Sequence, residues 1–151
     1  MTPTFRTTWL VFVGGGAGAL VRALLLAAFP VSGLPVPVTV LLVNWAGAFL
    51  LAFLTGHLLA TAPGGVLSAG SEQLRVLVGT GFLGGFTTYS TFALALAQLT
   101  LVGYWWTAAG YALLSLVGGY LLAWAGWQLG GRWGRRGRPP HAGRSARGAG
   151  E

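Results

Sequence analysis

Two long stretches of this chain carry no fixed charge. Residues 23–71 lie between Arg22 and Glu72, with only His57 able to take up a proton, and residues 76–131 lie between Arg75 and Arg132. A water-facing surface cannot be built from such sequence. The whole chain is 54% hydrophobic and 7% charged, where an ordinary soluble domain carries about 25% charged residues. A helix that crosses a bilayer needs about 20 mostly apolar residues at a rise of about 1.5 Å each. The second stretch has room for two such helices and a short turn. The first has room for one, plus the end of another that begins near Thr7. The expected fold class is an all-α membrane protein of four transmembrane helices.

The punctuation agrees. Span one is expected over 7–29, ending at the breaker cluster Pro30-Val31-Ser32-Gly33-Leu34-Pro35. Span two follows over 36–60. After a loop, Ser71 reads as a helix N-cap with Glu72 in the first turn, and span three runs over 73–101. Gly103 marks a tight turn, and span four covers 104–130. The four-span domain is therefore 1–130, and the Arg-, Gly- and Pro-rich remainder, 131–151, is expected to be a disordered basic tail. The N-terminus has a basic residue before an apolar run, as secretory signals do, but the run continues past Arg22 and no cleavage is expected.

Charge placement predicts orientation. Arg6, Arg75 and the six tail arginines fall on the side of the termini, and at most Arg22 falls on the other. The positive-inside rule puts the termini in the cytoplasm of a cell whose plasma membrane holds the protein, in one fixed orientation. Trp9, Trp105, Trp106 and Trp133 lie near span ends and read as interfacial anchors. The tail is expected against anionic headgroups, with no nucleic-acid partner.

The residues exclude most chemistry. There is no cysteine, and the only acids are Glu72 and Glu151. No carboxylate pair, metal cluster or nucleophilic triad can be assembled, so the chain is not expected to be an enzyme. His57 and His141 are isolated. What remains inside the spans is neutral and rich in donors: Asn44 in span two, Thr87 to Thr91 in span three, and Tyr111 and Ser115 four residues apart in span four. A path lined this way, without acids, suits a small anion better than a cation. Span three also holds Gly79, Gly81, Gly84 and Gly85 before Thr87 and Thr88. These glycines admit two readings, close helix packing or a mid-membrane break of the kind that houses ions. Arg22 also admits two readings. With Gly14 and Gly18 it forms one stripe at i, i+4, i+8 and would face protein, or it snorkels to the headgroups.

Three segments carry a family resemblance. Gly15-Gly16-Ala17-Gly18-Ala19-Leu20-Val21-Arg22, Val43-Asn44-Trp45-Ala46-Gly47-Ala48-Phe49 and Gly81-Phe82-Leu83-Gly84-Gly85-Phe86-Thr87-Thr88-Tyr89-Ser90-Thr91-Phe92 resemble the span-one, span-two and span-three signatures of the CrcB (Fluc) fluoride channels. The resemblance implies an antiparallel, dual-topology-type dimer with the third helix broken mid-membrane, and passive export of fluoride that lowers its cytoplasmic level. It implies a structural, untransported Na+ at the dimer centre, held by the backbone carbonyls of Gly84 and Thr87. The implied pore residues are the rings of Tyr89 and Phe92, a polar track of Asn44, Thr88, Tyr111 and Ser115, and Arg22. Three positions depart from the family pattern: Tyr89 stands where Phe is usual, Gly119 where the track can have Ser, and Ala95 where an acid often follows the aromatic pair. With the fixed orientation, these departures suggest one half of a heterodimer, conducting weakly or not at all by itself. A small multidrug-type exporter has the same span count but needs an intramembrane Glu, which this chain lacks.

Overall fold

The structure is a computed structural model and describes residues 5–29 and 36–136. Within these residues every regular element is helical. In chain order they are α1 (Phe5–Ala28), α2 (Val38–Thr61), a 3₁₀ turn (Pro63–Gly65), α3 (Ala69–Leu74), a π-helix (Arg75–Leu83), α4 (Gly84–Phe86), α5 (Ser90–Leu101) and α6 (Trp105–Arg136). Three of them, α1, α2 and α6, are long and apolar enough to cross a membrane. The segment expected as span three is instead a succession of helical pieces, α3 through α5. The Pro30–Pro35 breaker, His141 and the tail from 137 onward lie outside the described residues.

On α1 burial is inverted relative to a water-soluble protein. The buried residues of α1 are Gly14 and Gly18, while Phe12, Leu20 and Leu24 are exposed. Lipid gives apolar side chains no reason to turn inward, so close backbone approach through small residues holds the helices together. Two seams result. In the first, α1 packs on the π-helix and α4. A methyl at Gly14 would come within 2.9 Å of the Phe82 amide nitrogen, one at Gly18 within 2.8 Å of that of Phe86, and one at Gly85 would strike the Gly15 carbonyl. In the second, α2 packs on α6. Gly126, Gly130 and Gly134, four residues apart, lie against the backbone of Phe49, Phe53 and His57, also four apart, and Gly56 answers them from α2.

This second seam also explains a correction. Span four was expected to end at Gly130, with tail beginning at Gly131, yet α6 continues to Arg136. Gly134 packs against Ala60 and the His57 carbonyl, so the helix persists as far as α2 offers it a partner. A second correction concerns the cap before α3. Ser68, with extended backbone, accepts the Ser71 N–H at 3.2 Å, and Ser71 sits one turn inside the helix. Glu72 is in the first turn as expected and pairs with Arg75 at 2.7 Å. That hydrogen bond holds the Glu72 carboxyl below its ordinary range, although an exposed pair of this kind adds little stability. Gly103, at φ 84°, makes the α5–α6 turn, a conformation that glycine adopts without steric cost. Trp105, Trp106 and Trp133 are exposed, and so is Trp9.

Candidate functional site

The feature that positions the site is an interruption between α4 and α5. The π-helix that leads into it is a rare form frequently found at functional sites. Leu83 and Gly84 still have helical backbone. Thr87 turns to φ −78°, ψ 159°, and Tyr89 has returned to helical angles at φ −86°, ψ −37°. The glycines and the break are thus separate devices. Gly79, Gly81 and Gly85 serve packing, and the chain leaves the helix only after Phe86.

An interrupted helix leaves backbone groups without intrahelical partners, and in lipid each must be satisfied by protein. Asn44 of α2 takes two of them. Its Oδ1 accepts the Thr88 N–H at 2.8 Å, and its Nδ2 donates to the Thr88 carbonyl at 2.9 Å. Arg22 of α1 takes a third, with Nη1 donating to the Thr87 carbonyl at 2.8 Å. Thr88 then starts the next helix: its Oγ1 accepts the Thr91 N–H at 3.3 Å and shares hydrogen bonds with the hydroxyls of Ser90 and Thr91 at 3.2 and 3.1 Å. Gly47 makes room for this, since a side chain there would strike the Thr87 methyl.

A groove of about 500 Å³ opens beside the break. Its walls include Asn44, Gly84, Thr87, Thr88, Tyr89, Phe92 and Ser115, so most of the residues singled out from sequence meet on one surface. Along it runs a row of rings. The Tyr89 and Phe92 centroids are 6.3 Å apart, and those of Phe92 and Tyr111 are 5.5 Å apart. The row passes from outside to inside: Tyr89 is 80% exposed and Tyr111 only 3%. The Tyr111 hydroxyl is buried and, among the described residues, has no hydrogen-bond partner. Ala95, where an acid was noted as missing, packs in a buried apolar cluster with Leu41 and Tyr111.

Two candidates do not line the groove. Tyr111 stands behind Phe92, and Arg22 approaches the break from α1. One contributor stands in the span-two signature but has no role assigned from sequence. Trp45 donates its Nε1–H to the Ser115 carbonyl at 3.2 Å and lies where a side chain at Gly118 would be, fixing α2 to α6, the helix that carries Ser115 and Tyr111. Its place one residue after Asn44 was the available signal. No group of three or more His, Asp or Glu residues gathers among the described residues. The oxygens on offer to a cation are backbone carbonyls. Gly84 presents one: the Thr88 N–H that would meet it in an unbroken helix is turned to Asn44 instead.

Residues 9–127 match the family model for the CrcB-like protein, Camphor Resistance (CrcB). Similar proteins include fluoride-specific ion channel FluC of Deinococcus radiodurans, 44% identical over 82% of this chain and 94% of its own length. Fluoride-specific ion channel FluC 1 of Cutibacterium acnes is 41% identical over 76% of this chain and 78% of its own. Fluoride-specific ion channel FluC of Chlorobium phaeobacteroides is 35% identical over 88% and 99%.

Proposed function

The chain belongs to the CrcB family, and on that premise we propose that it is the subunit of a fluoride-selective passive channel in the plasma membrane, not an enzyme. The observation that carries the reading is the acid-free groove beside the Asn44–Thr88 pair, with its row of rings. A bare fluoride ion needs its hydration replaced by donors. Ring edges of Tyr89 and Phe92 carry partial positive charge, and the hydroxyls near them donate hydrogen bonds. No carboxylate stands there to repel the anion or to admit cations. Fluoride enters cells as its neutral acid and is held inside as the anion, so a passive path lets it leave down its own gradient. No coupling residue is required.

The functional unit we propose is an antiparallel dimer of four-span subunits, with the helical pieces over 73–101 making the third span and both termini of this chain cytoplasmic. Tyr89 and its groove would face the partner. A Na+ at the dimer centre fits the residues present. Gly84 and Thr87 offer neutral carbonyl oxygens at the C-terminal end of a half-helix, the setting in which unwound backbone holds Na+ in transporters. Each subunit offers two such oxygens, and a second subunit would double the set. Bound there, the ion would neutralise the carbonyl ends of the interrupted helices.

Fluoride efflux from liposomes holding this purified chain, with chloride as control, tests the reading. Fluoride loss without chloride loss is expected once a homologous partner chain is supplied; no efflux, alone or with that partner, would overturn it. The lopsided arginines favour a heterodimer, in which this chain conducts only beside a partner of opposite orientation. A C-terminal tag found equally on both sides of the membrane would sink that assignment. Tyr89→Phe removes a hydroxyl from the groove mouth and should raise fluoride flux severalfold. Equal flux in the two proteins would mean that the hydroxyl does not narrow the path.

A further inference from the structure

Arg22 is the only charge within the apolar length of α1. Its charge meets no acid: among the described residues Glu72 is the one carboxylate, and Arg75 holds it. The guanidinium is partly buried and reaches the Thr87 carbonyl at 2.8 Å. Thr87 directly follows Phe86, the last residue of α4, and the C-terminal end of a helix carries a partial negative charge. The next residue, Thr88, is the one that Asn44 clamps at both its N–H and its carbonyl. Arg22 itself is absent from the groove walls.

We propose that Arg22 is a positioning residue, the chain's own cation at the carbonyl end of the interrupted helix. It fixes Thr87, and through it the Asn44–Thr88 pair, and it acts on fluoride passage without touching fluoride. The Thr87 carbonyl that Arg22 holds in place is one that Na+ would use, so removing the guanidinium loosens the Na+ site, and this loss of organisation outweighs the relief of repulsion between the two cations. This inference rests on the Na+ reading given above.

The test is thermal unfolding of the purified full-length protein, followed by tryptophan fluorescence across a Na+ titration with N-methylglucamine as the replacing cation. Wild type, Arg22→Gln and Arg22→Lys are compared. Arg22→Gln, which loses the charge, should need about tenfold more Na+ for half of its Na+-dependent stabilisation, equivalent to about 1.4 kcal/mol. Arg22→Lys keeps the charge on a shorter, non-planar head and should shift the same midpoint by a smaller factor. A purely structural role would lower stability equally at every Na+ concentration. An unchanged Na+ midpoint in the variants overturns the proposal, and should Arg22→Gln fail to fold, the lysine variant decides alone. Wild-type protein indifferent to Na+ both alone and co-purified with a homologous partner chain also overturns it. Wild-type fluoride efflux, measured separately, then shows whether the channel reading stands without it.

Discussion

Replacing Gly18 with leucine should leave little or no folded protein. The Cβ of any residue at this position would strike the Phe82 carbonyl oxygen and lie 2.8 Å from the Phe86 amide nitrogen. These are backbone atoms of the π-helix and α4, and they cannot rotate aside as a side-chain tip would. Overpacking that side chains can absorb typically costs about 1–3 kcal/mol, so a clash with fixed backbone should exceed that range. Net stabilities of only about 5–15 kcal/mol leave little margin. Gly16 supplies the control. It sits on the same helix, and a Cβ there meets nothing within 4 Å. Gly16→Leu should therefore be recovered as a monodisperse species on size exclusion while Gly18→Leu is lost to aggregate. Equal recovery of the two would show that the α1 seam is not a determinant of the fold.

Asn44→Ala should reduce fluoride flux more than tenfold while leaving helix content nearly unchanged. The substitution removes two hydrogen bonds at once and strands the Thr88 N–H and carbonyl. Thr88 is 7% exposed, and each stranded buried group costs about 1–3 kcal/mol. The break would be expected to relax, carrying Tyr89 and Phe92 with it. Liposome flux and circular dichroism on the same preparation check both halves of the statement. An alanine variant that conducts like the parent would show that the backbone turn holds without this clamp. Asn44→Asp makes a finer probe, since it keeps an acceptor for the N–H, loses the donor for the carbonyl, and brings negative charge to an anion path.

Much of this architecture is legible in the sequence because the bilayer imposes simple demands. Two charge-free runs announced the long helices, and Gly103 announced the α5–α6 turn. The glycines of span three left packing and a break as alternatives, and in the structure Gly79, Gly81 and Gly85 pack while the chain breaks after Phe86. Which helix meets which was hidden, because lipid removes the apolar periodicity that marks a buried face in water. Small residues are the replacement signal, and on α6 the four-residue spacing of Gly126, Gly130 and Gly134 would have revealed both its α2-facing stripe and its extension to Arg136. Ser71 was read as the cap because Glu72 follows it, but Ser68 stands three residues earlier with the geometry a cap needs. Asn44 and Arg22 show a deeper difficulty. Their residue types mark them as consequential in a membrane, yet their partners are backbone carbonyls and an N–H more than forty positions away. Backbone groups leave no trace in composition. The choice for Arg22 between facing protein and snorkelling was open in the sequence, and its bond to Thr87 resolves it toward protein.

The two glycine seams join helices that are not neighbours in the chain: α1 with the π-helix, α2 with α6. The pairings are interleaved like the fingers of two hands. Neither half of the polypeptide can close a seam alone, because each half owns one face of both. During synthesis α2 is complete at Thr61, while its partner does not begin until Trp105, so α2 waits in the bilayer with its glycine face open to lipid. A chain severed in the loop before α3 would yield two fragments that are individually unfinished but mutually complementary. Assembly of the second seam is thus postponed until the last helix arrives, and a ribosome that stalls before α6 leaves α2 without its main packing partner.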